Sequence, residues 1–390
     1  MITGSKIDIA HQDLTYGMVG GGPGALIGEV HRSAIRLNQG AQLVCGVFSR
    51  DRDKSREFGL SLGIDAQRLY ISYEEMATKE AERDDGIDFV VVVTPNAFHY
   101  ETCKAFLLHG IHVVCDKPLA ITPEEAEDLV ELSRRKQLLF AVTYTYTGYA
   151  AVKQIAHLVA AKAIGEIRFV HAEYIQEWLA EKSEEAGNPQ AAWRTDPKLS
   201  GISNCVGDIG SHVENLVATM TGLRIKRLCA RLDTFVEGRS LDDNASIMVE
   251  YDSGAKGLYW VSQIAIGHDN GLKIRICGSL GTIEWFQEDP DHFSVMRLHE
   301  PAQQFSRGRD AFCTAAEQFS RLPGGHPEGF FEAFANIYQA YTQTLTNLKL
   351  HGKIDDMQLG FPTVDQGADG VKFVSACVES SQRGSAWVEL

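Results

Sequence analysis

Residues 14–31 read Leu14-Thr15-Tyr16-Gly17-Met18-Val19-Gly20-Gly21-Gly22-Pro23-Gly24-Ala25-Leu26-Ile27-Gly28-Glu29-Val30-His31. Leu14 to Val19 is strand-like, the glycines interrupt it, and Gly28 leads into a helical pattern whose first turn includes His31. Glycine lets backbone approach a pyrophosphate closely, and the N-terminus of the following helix supplies amide donors and a favourable dipole. Gly20 and Gly22 fit a G-x-G-x-x-G spacing, whereas Gly28 arrives three residues late. A structural turn has a similar composition. The strand–loop–helix setting points instead to a dinucleotide loop, with Gly20, Gly22 and Gly24 against the phosphates.

Outward from this loop, short apolar runs alternate with helical patterns as far as residue 147, which favours a parallel sheet. The strand candidates are Thr15–Val19, Leu43–Phe48, Phe89–Thr94, His112–Cys115 and Leu138–Thr143. Helix candidates lie near Ile27–Leu37, Arg52–Leu62, Tyr73–Glu82, Tyr100–Leu108 and Pro123–Lys136. Thr122, Pro123 and Glu125 give the last a capped start. The expectation for residues 1–147 is a doubly wound Rossmann domain.

Beyond Tyr149 the texture changes. One helix, Ala150–Ala161, precedes alternating strands at Ile167–Ile175, Ile225–Thr234, Ala245–Tyr251, Ala255–Ile264, Lys273–Cys277 and Gly281–Phe286. Strands without intervening helices predict a large, mostly antiparallel sheet with one open face in residues 148–390. That face is a natural interface for a homodimer or homotetramer. Pro290–Gly325 reads as loop, followed by helices from Pro327 to about Leu348 and near Gly370–Ser381. The expected fold class is therefore α/β, with an α+β second domain.

Composition narrows the function. The chain has 390 residues, too many for one ordinary core, and a net charge of −15, which argues against nucleic acid or an anionic membrane as partner. No apolar run reaches membrane-spanning length, and the N-terminus shows no export pattern, so a cytoplasmic location is expected. The eight cysteines are scattered singly, so structural thiols are expected and no metal site.

The chemistry-bearing residues sit at strand ends. Ser49-Arg50 follows the second strand, where an acid usually reads the ribose 2′-hydroxyl of NAD. A serine and an arginine suit a 2′-phosphate, so NADP is favoured over NAD, although a solvated charged loop has the same composition. Thr94, Asn96 and His99 end the third strand and are expected to border the cofactor, although Pro-Asn also makes an ordinary turn. Asp116-Lys117-Pro118 ends the fourth, where Lys117 is placed to hydrogen-bond a reacting hydroxyl. Asp208 and His212 are four residues apart; they are either a cap and a satisfied polar residue or a proton-transfer pair.

Together these segments resemble the Gfo/Idh/MocA family of oxidoreductases, which includes glucose–fructose oxidoreductase and inositol dehydrogenases. The resemblance spans nearly the whole chain: the glycine loop with Gly28-Glu29-Val30-His31, Thr94-Pro95-Asn96-Ala97-Phe98-His99, Asp116-Lys117-Pro118, Trp193-Arg194 and Asp208-Ile209-Gly210-Ser211-His212. Asp116 stands where the family usually has Glu. The resemblance implies oxidation of a sugar or polyol hydroxyl by NAD(P), with Lys117, Asp208 and His212 catalytic and Asp116 and Lys117 beside the cofactor. Trp193 and Arg194 then belong to the substrate side, against ordinary packing and a salt bridge. Tyr144 and Tyr149 lie where the chain crosses between domains, and His326 opens a late helix; all three are substrate-site candidates. Other readings are a redox-neutral, NAD-retaining glycoside-cleaving enzyme and a non-catalytic nucleotide sensor.

Overall fold

The computed structural model describes residues 14–309, 311–352 and 359–390. Residues 1–13, assigned above to the first domain, lie outside the described residues. The first half runs β1 (Leu14–Gly20), α1 (Leu26–Asn38), β2 (Ala41–Val47), α2 (Arg52–Ser61), α3 (Tyr73–Ala81), β3 (Phe89–Val93), α4 (His99–Leu108), β4 (His112–Cys115), α5 (Pro123–Lys136) and β5 (Phe140–Val142). Phe89 to Val93 is buried at every position, as a central parallel strand covered on both faces must be. The α5 start is as read: Thr122 accepts from the Glu125 amide, with Pro123 in the first turn.

The five strands form an all-parallel sheet in the order β2-β1-β3-β4-β5. A parallel bridge from Gly46 to Leu69 adds a rudimentary strand outside β2. With it the order becomes 3-2-1-4-5-6, that of the Rossmann fold.

The second half continues with α6 (Ala150–Ala160), β6 (Ile167–Ile175), α7 (Pro189–Arg194), α8 (Pro197–Ser200), a π-helical turn (Val206–Gly210) and α9 (Ser211–Thr221). Then come β7 (Ile225–Asp233), β8 (Asn244–Tyr251), β9 (Lys256–Ser262), β10 (Gly271–Gly278), β11 (Gly281–Phe286), β12 (His292–Arg297) and β13 (Gln303–Ser306). The chain ends with α10 (Thr314–Glu317), α11 (Phe330–His351), α12 (Val364–Gln382) and β14 (Val388–Glu389). The nine-stranded sheet has the order β13-β12-β11-β10-β6-β9-β8-β7-β14 and is antiparallel except between β6 and β9. Its inner face, with Val170, Ile247, Tyr259 and Ile274, shares a core with α6, α9 and α12. Phe169, Met248, Leu258 and Trp260 are exposed on the other face.

Two sequence expectations change. Pro290–Gly325 holds β12, β13 and α10; β13 and α10 are four residues each and β13 is exposed at Gln303-Gln304, while β12 buries only Phe293 and Val295 in alternation. The last helix begins at Val364, six residues before Gly370, because Thr363 and Gln366 cap each other. Gly370, which reads as a helix start, is a close-packing position instead. A Cβ there would sit 2.3 Å from the Tyr144 hydroxyl.

The two halves are joined by packing as well as by chain. Phe334, Tyr338 and Tyr341 of α11 share a core with Tyr16, Phe89 and Val91 of the first sheet. α12 packs on both α5 and β7. The carboxyl ends of the parallel strands therefore face the second half across a cleft.

Candidate active site

The glycine loop is shaped by close approaches. A Cβ on Gly22 would lie 2.2 Å from the Phe48 carbonyl oxygen, and one on Gly28 would lie 2.4 Å from the Gly21 Cα. Gly28 thus lets α1 pack on the loop, the task of the third glycine of the usual spacing, despite arriving late. Gly20 and Gly24 have φ of 87° and 76°, where glycine is favoured. Ala25 precedes α1 without a side-chain cap, so the first amides of the helix have no local side-chain acceptor. This tight cradle fits a dinucleotide pyrophosphate.

At the end of β2, Ser49 Oγ accepts from the Asp51 amide at 3.1 Å. The Arg50 guanidinium lies over the Phe98 ring, 4.3 Å from its centroid. Asp51 caps α2 by accepting from the Asp53 and Lys54 amides. Both bonds end on Oδ1, so this edge presents the Ser49 hydroxyl, the exposed Arg50 cation and the second Asp51 oxygen, which lies 3.7 Å from Lys54 Nζ.

Asn96 and His99 are placed differently from the sequence reading. Asn96 donates to the Ser200 carbonyl at 3.1 Å. His99, buried, sets Nδ1 2.7 Å from the Pro118 carbonyl and Nε2 2.8 Å from that of Thr94. Burial lowers its pKa. These polar atoms hold backbone, tying the β3 loop to α8 and to the Lys117 loop. Asp116 Oδ1 likewise accepts from the Lys117 amide and Thr143 Oγ1.

Lys117, Asp208, Arg194, His212 and Tyr149 line one cavity of about 880 Å³ between the halves. Asp208 lies in the π-helical turn before α9, a distortion that frequently marks functional positions. Its Oδ1 accepts from Lys117 Nζ at 2.7 Å, and Oδ2 from Arg194 Nε at 3.0 Å and Gln263 Nε2 at 2.9 Å. Lys117 Nζ also donates to the Asp208 carbonyl. The turn is fixed from below by Asp242, which accepts from the Asn204 and Val206 amides. Burial opposes the charge on Asp208, but Arg194 and Lys117 hold its carboxyl well below the usual range.

His212 opens α9 and is 8% exposed. Tyr144, Tyr146 and Tyr174 surround its ring at centroid distances of 5.5, 4.8 and 6.2 Å. Asp208 commits both oxygens elsewhere, so the ring is oriented by aromatic packing. Burial, and then Lys117, push the imidazole well below its ordinary pKa against the pull of Asp208. The ring is thereby kept neutral, and His212 lines the cavity.

Three candidate substrate residues stand back from the cavity. Trp193 belongs to α7 and stacks under Arg194 at 4.3 Å, and Tyr144 is buried behind His212. His326 is exposed, while its neighbours Pro327 to Phe330 provide the wall. The sequence reading missed Gln176, Gln263, Asn270 and Gln287. Each lies one residue beyond an end of β6, β9, β10 or β11, all at the same edge of the sheet. An amide repeated at successive strand boundaries is the signal that marks them.

Residues 14–144 match the oxidoreductase family with an NAD-binding Rossmann fold, and residues 152–284 the GFO/IDH/MocA C-terminal domain. An uncharacterized oxidoreductase, YfiI, of Bacillus subtilis is 36% identical over 100% of this chain and 99% of its own length. An inositol dehydrogenase homolog from Azotobacter vinelandii, complexed with NAD+, is 39% identical with a TM-score of 0.95 over 100% of both chains. A structure of an Azotobacter vinelandii homolog with NADH and myo-inositol is 37% identical with a TM-score of 0.91, covering 97% of this chain and 98% of that one. A levoglucosan dehydrogenase from Pseudarthrobacter phenanthrenivorans is 27% identical over 57% of this chain and 61% of its own.

Proposed function

The chain belongs to the GFO/IDH/MocA family of NAD-dependent oxidoreductases, and we propose that it oxidises a secondary hydroxyl of a sugar, inositol or related cyclic polyol, or reduces the corresponding ketone. The observation that carries this reading is the convergence of Lys117, Asp208 and His212 on one cavity beside the glycine cradle. A bound nicotinamide supplies the hydride acceptor. His212, neutral and lining the cavity, takes the hydroxyl proton. Lys117 Nζ hydrogen-bonds the reacting oxygen and steadies negative charge developing there. Asp208 positions Lys117 and, through its charge, stabilises the protonated imidazole. Arg194 and Gln263 hold Asp208 in place while Lys117 engages the substrate.

Gly20, Gly22 and Gly24 are assigned to the pyrophosphate and Ser49 and Arg50 to the adenosine ribose, with Thr94 and Asp116 lining the nicotinamide end. The Ser49 hydroxyl and the exposed Arg50 cation support NADP over NAD. The exposed apolar residues on the outer sheet face support assembly as a homodimer or homotetramer, to be read by sedimentation velocity; a monomer at micromolar concentration would exclude it.

The test is nicotinamide absorbance at 340 nm (an assay wavelength) with NAD and NADP separately, against inositols, aldoses and anhydrosugars. Reduction with at least one polyol is expected, with a larger kcat/KM for NADP. A protein that binds cofactor but reduces it with no polyol contradicts the reading, and a larger kcat/KM for NAD contradicts the cofactor preference.

A further inference from the structure

Five polar side chains that line the cavity with Lys117 form a chain of hydrogen bonds. Trp178 Nε1 donates to Gln176 Oε1 at 3.0 Å, and Gln176 Nε2 donates to Asn270 Oδ1 at 2.8 Å. Asn270 Nδ2 donates to Gln287 Oε1 at 2.6 Å, and Gln287 Nε2 to the Tyr149 hydroxyl at 3.1 Å.

The direction of this chain is not free. An indole N–H only donates, so Gln176 must turn its oxygen to Trp178 and its amine to Asn270. Asn270 must then offer its oxygen to Gln176 and its amine to Gln287, which in turn points its amine at Tyr149. A side branch agrees: the Tyr174 hydroxyl donates to the same Asn270 oxygen at 2.7 Å. The hydroxyl pair Tyr146–Tyr174 must then run from Tyr146 to Tyr174, and Asn270 Nδ2 lies 3.4 Å from the Tyr146 oxygen as a donor to it. The protons of Tyr146 and Tyr174 are thus committed within the wall. At the end of the chain Tyr149 accepts through its oxygen, and its own proton is left for the cavity. Burial raises the Tyr149 pKa, which keeps the phenol protonated.

We propose that Trp178 fixes the polarity of this chain and so obliges Tyr149 to donate a hydrogen bond to a substrate oxygen, making Tyr149 a specificity-determining residue. The inference rests on the polyol reading above and adds a requirement to it. The substrate presents an acceptor oxygen, distant from the oxidised carbon, to the Tyr149 hydroxyl.

The test uses two substitutions that remove the same donor by different routes. Tyr149→Phe deletes the hydroxyl. Gln287→Glu keeps the size of the side chain but leaves only acceptors when ionised, so it takes the Asn270 amine and the Tyr149 proton and turns Tyr149 away from the cavity. The affinity of myo-inositol for the protein–NADH complex is read from NADH fluorescence in alkaline buffer, where the new carboxyl is ionised. If myo-inositol does not bind, the polyol oxidised fastest in the absorbance assay takes its place. Each variant is expected to weaken polyol binding about ten-fold or more, with NADH affinity unchanged and the double variant no weaker than either single one. Unchanged polyol affinity in Tyr149→Phe, or single effects that multiply in the double variant, overturns the proposal while leaving the dehydrogenase reading intact. A wild-type protein that binds NADH but no polyol overturns both.

Discussion

Asp208 accepts hydrogen bonds from an ammonium, a guanidinium and an amide at once, and each donor restrains a different direction of movement. The geometry separates two tasks that one carboxylate could otherwise confuse. The Arg194 side keeps the anion fixed, and the Lys117 side lends the cation to the substrate. Lys117→Met removes the lent cation only. It is expected to lower turnover by roughly 100-fold or more while cofactor affinity measured by fluorescence stays near wild type, because Arg194 still compensates Asp208. Activity within a factor of a few of wild type would show that Lys117 does not meet the reacting oxygen. At this scale Lys117 stands out as a charge directly after an apolar strand, whereas Asp208, His212, Arg194 and Tyr149 lie on helices and turns, and it is the fold that brings all five to one cavity. Gln263 is marked only by the recurrence of amides at strand boundaries, and the fold is what brings it to Asp208. The sequence reading overreached at His326, one residue short of the wall, and at Trp193, whose ring is covered by Arg194.

The approach of α1 to the glycine loop is the element contact with the least room. Adding a methyl at Gly28 brings it into the Gly21 backbone, which cannot rotate away as a side chain can. Gly28→Ala is therefore expected to cost about 1–3 kcal/mol of stability and to weaken dinucleotide binding, as calorimetric melting and fluorescence titration would show. A variant with unchanged melting and affinity would mean that the loop has slack. The alternation of apolar runs and helical patterns disclosed the parallel sheet and its order of elements, because strands buried on both faces are written as continuous Val and Phe. The start of α12 was harder. Gly370 reads as the start of the helix, yet Gly367 and Gly370 both lie inside it, where it meets Val142 and Tyr144. Between 290 and 325, β13 stayed hidden because an exposed edge strand of four residues buries too little to impose a period, and β12 because its alternation spans only Phe293 and Val295.

Across the whole molecule, several histidines are buried without charge. His31 and His112 are each pushed down to about 4, chiefly by burial. His112 Nδ1 accepts from the Leu139 amide, a bond that fits the unprotonated nitrogen. Since folding lowers these pKa values, the unfolded chain takes up protons first. Stability is then fully present above the ordinary histidine pKa and falls as pH drops from about 6.5 to about 4. Each group contributes a loss on the order of 3 kcal/mol by the lower limit. Urea denaturation across this range would reveal the slope, and a flat profile would mean that folding leaves the proton affinity of both rings unchanged. The sequence could not show this, because burial of a histidine depends on which distant segment covers it; for His31 that segment is α11. The same helix has a consequence for biosynthesis. During translation the nucleotide-binding sheet emerges first, yet the face of Tyr16 and Phe89 that α11 covers remains bare until Phe334 to Tyr341 have left the ribosome. The half that is made first is therefore completed last, and the nascent chain must keep that apolar surface from sticking to its neighbours until synthesis is nearly over.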